Sequence, residues 1–473
     1  MQENYIDFLN SLKNKKVMFC GIGRSNLPLI DVFTKNGINV IAYDSKPQEK
    51  FDAKIIEKLE NNPLAKLRFA DESVWDDNID VIIRTPGMNF FSEKITKARE
   101  KGIIVTSEME IFFDYCPCPI IGITGSDGKT TTSTLIHEIL KADGKTVHLG
   151  GNIGEPLLPK IESISKNDIA VVELSSFQLI SMRQSPETAI ITNISPNHLD
   201  VHKDMNEYID AKKQILLHQN AFSKTILNFN NEITKNMIGL VRGKAIFFSR
   251  TDNLQNMPCS VWVDDNKNII YTCNKNTNQK NEVIINTADI KIPGNHNIEN
   301  YLTAIAAVHD MVSPESIKKV ATSFPGVKHR IEFVREVGGV SYYNDSIASS
   351  PNRTISGTLS LFDKKIILIA GGYDKKIPFD TLAPKIAEKV STLILLGQTS
   401  EKILNEIEKL PKSKTENLNI IKTTSMQEAV EKAKEVSKQG DIVVLSPACA
   451  SFELYKDFEA RGDHFKELVN LLL

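Results

Sequence analysis

The sequence predicts an α/β fold built as three consecutive domains with mostly parallel sheets. Three observations predict it. Short Val/Ile/Leu runs alternate with longer helical patterns along most of the chain, which is the signature of strand–helix–strand units. A chain of 473 residues is too long for a single core, and its length suggests about three. A glycine-rich turn joins an apolar run to a helix-like run at residues 119–141, as parallel sheets with ligand-binding edges require.

In the first domain (1–110), strands are expected near Val17–Cys20, Val40–Tyr43 and Val81–Arg84. Gly21-Ile22-Gly23-Arg24-Ser25-Asn26 follows the first strand, and Asp44 ends the second about 20 residues on. This is close to a dinucleotide fingerprint with Asn26 in place of its third glycine. A Rossmann-like domain holding a nucleotide-diphosphate group fits it without any redox role. Thr85-Pro86-Gly87 closes the next strand end and would border the same pocket.

The central domain (111–326) is expected to hold strands near Pro119–Ile123, Thr146–Leu149, Ile169–Glu173 and Ala189–Asn193. Residues 251–286 are rich in Asn, Lys and Asp, and Val261-Trp262-Val263 with Ile269-Ile270-Tyr271 reads as a hairpin inserted into this domain. The third domain (327–473), again Rossmann-like, takes strands near Ile366–Ala370, Thr392–Leu396 and Ile442–Leu445. Joints fall around 107–118 and 322–328, the second holding Phe324-Pro325-Gly326.

The most informative stretch is Ile121-Gly122-Ile123-Thr124-Gly125-Ser126-Asp127-Gly128-Lys129-Thr130-Thr131. Glycines let successive backbone N–H groups close around a phosphate at a helix N-terminus. Lys129 adds a point charge, and the Thr130 hydroxyl suits Mg²⁺. The loop departs from a Walker A motif, because Ile123 stands where that pattern has its first glycine. A P-loop ATPase-like domain is the expectation, against a plain strand-to-helix turn with a solvated lysine.

Ligands of open parallel sheets sit beyond the carboxyl ends of the strands. In the central domain those ends carry the phosphate loop, Gly151-Asn152, Glu173 to Ser176, and Asn193 to Asp200 with His198 between. Together they resemble a Mg²⁺–ATP site, with Glu173 and Thr130 as oxygen ligands and His198 as a less typical one. On the helix expected at 206–219, Lys212 falls near the centre of the stripe of Met205, Tyr208, Ile209, Ile215 and Leu216. An inward lysine must be paired, neutral or modified. A neutral amine captures CO₂ as a carbamate, a bidentate oxygen ligand; the alternative is a snorkelling lysine with its head in water. In the third domain, Asn344-Asp345-Ser346, Gly371 to Lys375, and Ser446 to Ser451 follow strands; Lys375 and Ser451 suit a carboxylate and Asp345 a ribose hydroxyl.

Composition is that of an ordinary globular protein, 41% hydrophobic and 25% charged, with net charge −2. No basic field invites nucleic acid or an anionic membrane, so small-molecule substrates are expected. No apolar run approaches the roughly 20 residues of a membrane span, and the N-terminus does not read as a signal peptide. Six scattered cysteines without a CxxC motif argue for free thiols in a reducing cytosol; Cys116-Pro117-Cys118 reads as linker.

These motifs resemble those of the Mur ligases, the ATP-dependent amide ligases of peptidoglycan synthesis. The resemblance runs essentially end to end apart from 251–286. It rests on Gly125 to Thr130, Glu173-Leu174-Ser175-Ser176-Phe177-Gln178, Asn193…His198-Leu199-Asp200, Tyr208…Ala211-Lys212, Gly294-Asn295-His296-Asn297…Asn300, His329-Arg330 and Asn344-Asp345-Ser346. Leu445 to Phe452 followed by Phe458-Glu459-Ala460-Arg461-Gly462 is similar to the D-glutamate-adding members. The resemblance implies that Ser25, Asn26, Asp44, Ser45, Thr85, Pro86, Gly87 and Asn152 hold the UDP sugar of UDP-N-acetylmuramoyl-L-alanine. ATP would meet Gly125, Ser126, Asp127, Gly128, Lys129, Thr130, Thr131, Asn297, Asn300, Arg330 and Asp345. Glu173, His198, Thr130 and a carbamylated Lys212 would organise two Mg²⁺ ions, and Lys129, His198, Lys212 and Arg330 would carry catalysis. Ser349, Lys375, Ser451 and Phe458 would grip D-glutamate. Ile347 stands where many relatives have lysine, leaving Lys375 or Arg353 to supply that charge. A cytoplasmic monomer is expected. The rivals are a folylpolyglutamate synthase, a Mur ligase adding another amino acid, a dehydrogenase using Gly21-Ile22-Gly23, and a non-catalytic nucleotide-binding scaffold.

Overall fold

The computed structural model describes residues 5–196, 201–275 and 278–473. Among these the chain divides into two compact units, Met1–Asp289 with Ile298–Val320, and Ile290–Asn297 with Ala321–Leu473.

The first unit holds two sheets. One has five strands in the order β3-β2-β1-β4-β5: β1 Val17–Cys20, β2 Val40–Asp44, β3 Ala65–Phe69, β4 Val81–Arg84 and β5 Ile104–Ser107. All its pairings are parallel. β1 and β4 are buried along their whole length, as strands covered on both faces must be. β3 and β5 lie at the edges; their mixed sequences, Ala-Lys-Leu-Arg-Phe and Ile-Val-Thr-Ser, lack the apolar run that marks the inner strands.

The second sheet of this unit has nine strands, ordered β14-β13-β12-β11-β10-β9-β6-β8-β7. Its parallel part comprises β6 Ile120–Thr124, β7 Val147–Gly151, β8 Ile169–Glu173, β9 Thr188–Ile191, β10 Lys224–Asn228, β11 Lys244–Ser249 and β12 Cys259–Val263. β13 Asn268–Lys275 and β14 Asn278–Asn286 continue it antiparallel, so the hairpin read at 251–286 is the outer end of the sheet. β6 occupies the interior between β8 and β9, and its loop is therefore flanked by the ends of both neighbours.

Residues 107–118, taken as a joint, carry the helix Glu108–Tyr115. Its Glu108 carboxylate accepts the Leu158 amide, and burial raises that carboxyl to about 7. One apolar cluster runs from Phe19 of the first sheet and Phe33 of the helix Asn26–Lys35 through Phe112 to Val172 and Ile191 of the second sheet. The two sheets thus share a core.

The second unit has a six-stranded sheet ordered β15-β16-β20-β17-β18-β19: β15 Glu332–Val337, β16 Val340–Asn344, β17 Ile366–Ala370, β18 Val390–Leu396, β19 Asn419–Thr423 and β20 Ile442–Leu445. Only β15 runs antiparallel to its neighbour.

Candidate functional site

β6 delivers the chain into the loop 125–128, and the helix Lys129–Ala142 leaves it with Gly128 at its N-cap. Gly125 has φ +150°, and a Cβ there would sit 1.9 Å from Thr192 Oγ1. Gly128 has φ +80°, and a Cβ would fall 2.5 Å from Asn300 Oδ1. Both positions thus require glycine, for backbone angle and for space. The loop is braced from β9: the Asn193 carbonyl accepts the Ser126 amide at 2.9 Å, and Asn193 Oδ1 accepts the Asp127 amide at 3.0 Å. Lys129 Nζ donates to the carbonyls of Gly125 and Ser126, at 2.8 and 2.9 Å, which curls its charge over the loop.

Glu173 ends β8 and is 1% exposed. Thr130 Oγ1 donates to Glu173 Oε2 at 2.8 Å, and Asn152 Nδ2 donates to Oε1 at 2.8 Å. A buried carboxylate is thereby held by neutral donors beside the phosphate loop. Asn152, expected at the UDP sugar, stands against this carboxylate.

Lys212 lies on the helix Met205–Leu217, capped by Asp204, whose side chain accepts the Glu207 amide. It is 1% exposed. Nζ donates to Gly125 O at 2.8 Å and Thr124 Oγ1 at 3.3 Å, and sits 4.7 Å from the centre of the Tyr208 ring. Neither acceptor is a carboxylate, so no ion pair made through these hydrogen bonds neutralises it. Burial, with the charge of Lys129 added, pushes the amine down to about 6. The snorkelling alternative is excluded: the nitrogen is inside. The Tyr208 hydroxyl shares a 2.9 Å hydrogen bond with Ser126 Oγ, so the lysine helix and the phosphate loop are fastened together. Oxygen donors of this kind suit a hard divalent cation. Among the described residues no three His, Cys, Asp or Glu side chains gather at one point. His198 lies outside the described residues.

In the first sheet, Asp44 Oδ2 accepts the Ile22 amide at 2.9 Å and Oδ1 accepts the Lys46 amide at 3.0 Å, shaping the Gly21–Asn26 loop and the bend at Ser45. Ser25 precedes the helix Asn26–Lys35. Asn26 is fully buried, with Nδ2 donating to the carbonyls of Cys20, Gly21 and Ile83. Asn26 thus braces β1 against β4 through Nδ2, while its buried Oδ1 has no hydrogen-bond partner among the described residues. Gly21 lies against Thr85: a Cβ at Gly21 would approach Thr85 Cγ2 to 2.6 Å. Pro86 and Gly87 line a cavity of about 170 Å³ whose opposite wall includes Phe177, Ile180 and His202.

The second unit carries its own cluster. Arg330 stands between His329 (φ +63°) and Ile331 (φ +46°), two left-handed non-glycine residues in one turn. Such a turn stores strain and fixes where Arg330 lies. Asp345 is 3% exposed; Oδ2 accepts the hydroxyls of Thr358 at 2.7 Å and Ser446 at 3.0 Å. Burial raises its carboxyl to about 6 against the pull of these donors and of Arg330. Oδ2 of Asp345 is thus held by two hydroxyls of its own unit. Lys375 is exposed, and its Nζ reaches Ser349 O at 3.4 Å and Ser349 Oγ at 3.5 Å, so these two expected partners are neighbours. Ser451 is buried and follows β20, while Phe458 opens the helix Phe458–Asn470 and its carbonyl accepts the Ser346 hydroxyl at 2.8 Å. Asn297 belongs to this unit and Asn300 to the first. Asn297 Nδ2 donates to Pro293 O at 2.6 Å; Asn300 Oδ1 accepts the Thr132 hydroxyl at 3.2 Å.

A family model described as the Mur ligase middle domain matches residues 123–308, and one described as the Mur ligase, glutamate ligase domain matches 329–449. The chain belongs to the Mur ligase family. Curated relatives named UDP-N-acetylmuramoylalanine--D-glutamate ligase include that of Acetivibrio thermocellus, 48% identical over 98% of each chain. That of Clostridium kluyveri is 47% identical over 99% of this chain and 100% of its own. Among solved structures, a UDP-N-acetylmuramate-alanine ligase from Thermotoga maritima shares the fold with TM-score 0.55 and 18% identity, covering 97% of this chain and 99% of that one. A pseudomurein peptide ligase from Methanothermus fervidus gives TM-score 0.51 at 18% identity, with the same shares covered.

Within this Mur ligase two buried arginines escaped the sequence reading. Arg461, 3% exposed, donates through Nε to Ser346 Oγ and through its amino groups to the carbonyls of Ser346, Ala450 and Cys449, at 2.9–3.1 Å. It ties the loop after β16 to the loop after β20. Arg84, 1% exposed, reaches from the end of β4 to Ser181 Oγ at 2.6 Å and Phe177 O at 3.2 Å. Its signal was present: an arginine closing the apolar run Val-Ile-Ile. Ser176, His202 and Glu207 form a third unforeseen group, His202 Nε2 lying 2.8 Å from Ser176 Oγ and Nδ1 2.9 Å from Glu207 Oε1.

Proposed function

We propose that this chain is an ATP-dependent amide ligase that adds D-glutamate to UDP-N-acetylmuramoyl-L-alanine, a step of peptidoglycan precursor synthesis. The observation that supports it most directly is the junction of loop 125–128 and the helical Thr130 with Glu173 at the end of β8 and Lys212 on the helix Met205–Leu217. The L-alanyl carboxylate attacks the γ-phosphate of ATP, giving an acyl phosphate and ADP. The amine of D-glutamate then attacks the acyl carbon, and the tetrahedral intermediate expels phosphate. Phosphoryl transfer needs positioning and charge neutralisation, which the phosphate loop and Lys129 supply, with Arg330 assigned to the same task.

Thr130 and Glu173 would hold Mg²⁺, together with His198 and a carbamate on Lys212. When bound, the metal neutralises charge developing on the phosphate oxygens. The carbamate reading is supported by a buried amine that is half neutral near pH 6, since only a free amine combines with CO₂. Lys375, Ser349, Ser451 and Phe458 are assigned to D-glutamate, and Ser25, Asp44, Ser45, Thr85, Pro86 and Gly87 to the UDP sugar. Among the described residues no helix is long and apolar enough to cross a membrane. A cytoplasmic monomer is proposed, in keeping with soluble substrates.

The test is phosphate release from ATP in the presence of UDP-N-acetylmuramoyl-L-alanine and a panel of amino acids. D-Glutamate alone is expected to drive turnover. Turnover with L-alanine, meso-diaminopimelate or L-lysine in its place overturns the substrate assignment, and reduction of a nicotinamide cofactor would restore the dehydrogenase.

A further inference from the structure

Cys259 opens β12, and its partner in the antiparallel register of β13 is Cys273, directly across the ladder. Their Sγ atoms lie 2.9 Å apart. Directly opposed residues of an antiparallel pair have Cα atoms about 4.5 or 5.5 Å apart, both inside the range a disulfide spans. No strand needs to move for the two sulfurs to bond. The hairpin is also locked in register around them: Trp262 pairs with Ile270, and the Trp262 indole donates to Thr272 Oγ1 at 3.1 Å. On the face that carries the thiols, Tyr271 stacks on His309 with ring centres 3.6 Å apart and 10° between planes.

Access separates this pair from the other thiols. Cys20, Cys116, Cys118 and Cys449 are buried, while Cys259 and Cys273 are partly exposed. The other close pair, Cys116 and Cys118, has its sulfurs 3.6 Å apart across a single proline within the shared core.

We propose that Cys259 and Cys273 are a site of reversible oxidation, closing to a cross-strand disulfide when the folded chain meets a low-molecular-weight disulfide such as oxidised glutathione. One protein thiolate attacks a sulfur of the oxidant, forming a mixed disulfide and releasing one small thiol. The second protein thiolate attacks the protein sulfur of that mixed disulfide, forming the cross-strand bond and releasing the other small thiol. Two protein thiols are oxidised, one oxidant disulfide is reduced, and the two protons leave on the released thiols. The bond pins the outer hairpin of the nine-stranded sheet, separated from the phosphate-loop strand β6 by β11, β10 and β9. Oxidation therefore leaves the ATP-dependent reaction running.

The test is to incubate the native full chain with oxidised glutathione, quench with acid, and count thiols after denaturation. The expected count falls from six to four, with a loss of about 2 Da and a linked peptide pair containing positions 259 and 273. Dithiothreitol restores six. Cys259→Ser is expected to retain a glutathione adduct on Cys273, and the double Cys259→Ser/Cys273→Ser variant to keep its remaining thiols unchanged and its phosphate release at the parental rate. Six thiols surviving in the parent, adducts without an internal link, or a link at Cys116 and Cys118 instead each overturn the proposal. The thiol count does not depend on which substrate the chain ligates, so this outcome and that of the phosphate-release panel are read separately.

Discussion

Thr130 Oγ1 donates to Glu173 Oε2 at 2.8 Å, joining the first turn of the phosphate-loop helix to the end of β8. Neither residue is near the other in the chain. Their contact follows from β6 and β8 being neighbours in the sheet. The pair sets the first prediction. Glu173→Gln keeps both hydrogen bonds geometrically possible but removes the charge. Folding should survive, while phosphate release falls by about 100-fold or more and its Mg²⁺ dependence shifts to higher concentration. A variant with parental activity and parental Mg²⁺ titration would remove Glu173 from the metal set.

Lys212 supplies a stability signature as well as a catalytic one. Its folded value near 6 lies below the usual 10.5, so between these the unfolded chain binds more protons than the folded one. Stability from this group is complete above about 10.5 and is lost as pH falls toward 6. In Lys212→Met the slope of unfolding free energy against pH should flatten across that window by up to about 1.4 kcal/mol per pH unit. Denaturant titrations at several pH values in CO₂-free buffer, where the amine is not carbamylated, measure it, and an unchanged slope there contradicts the buried amine.

Activity of Lys212→Ala should be abolished and partly restored by added bicarbonate with a short carboxylic acid. Full activity without either removes the carbamate.

Gly128 sits at φ +80° with Asn300 Oδ1 in the space a Cβ would take. Gly128→Ala should cost about 1–2 kcal/mol in stability and raise the KM for ATP about tenfold or more, with the KM for D-glutamate little changed. Parallel losses for both substrates would point to a global defect.

Lys375 is exposed, and its Nζ reaches the carbonyl and hydroxyl of Ser349. Lys375→Ala should therefore fold normally and raise the KM for D-glutamate by about tenfold or more, leaving ATP binding alone. Equal KM values in variant and parent would separate Lys375 from the amino-acid site.

Much of this was legible in the sequence because apolar runs announce inner strands. Val-Met-Phe-Cys, Ile-Ala-Val-Val and Ile-Ile-Leu-Ile-Ala have no other use than a doubly covered parallel strand. The inward direction of Lys212 was readable for the same reason, since helical periodicity fixes which face is apolar. What escaped was whatever periodicity does not encode. Edge strands such as β3 and β19 alternate with charged residues and bury little. Asn26 was assigned to the UDP sugar through the family resemblance, and nothing in the sequence announces that its Nδ2 is given to three carbonyls. Arg84 and Arg461 were invisible as structural ties because their acceptors are mostly backbone oxygens, which carry no residue-type signature.

The helix Glu108–Tyr115, which fills a stretch that reads as a joint, has a thermal consequence. Because Phe112 and Met109 belong to a cluster that also holds Phe19 and Val172, removing the first sheet would strip the second of part of its apolar cover. The N-terminal segment is then no excisable module. Heating should melt the chain as two cooperative blocks rather than three, and a fragment lacking residues 1–118 should come out of expression aggregated.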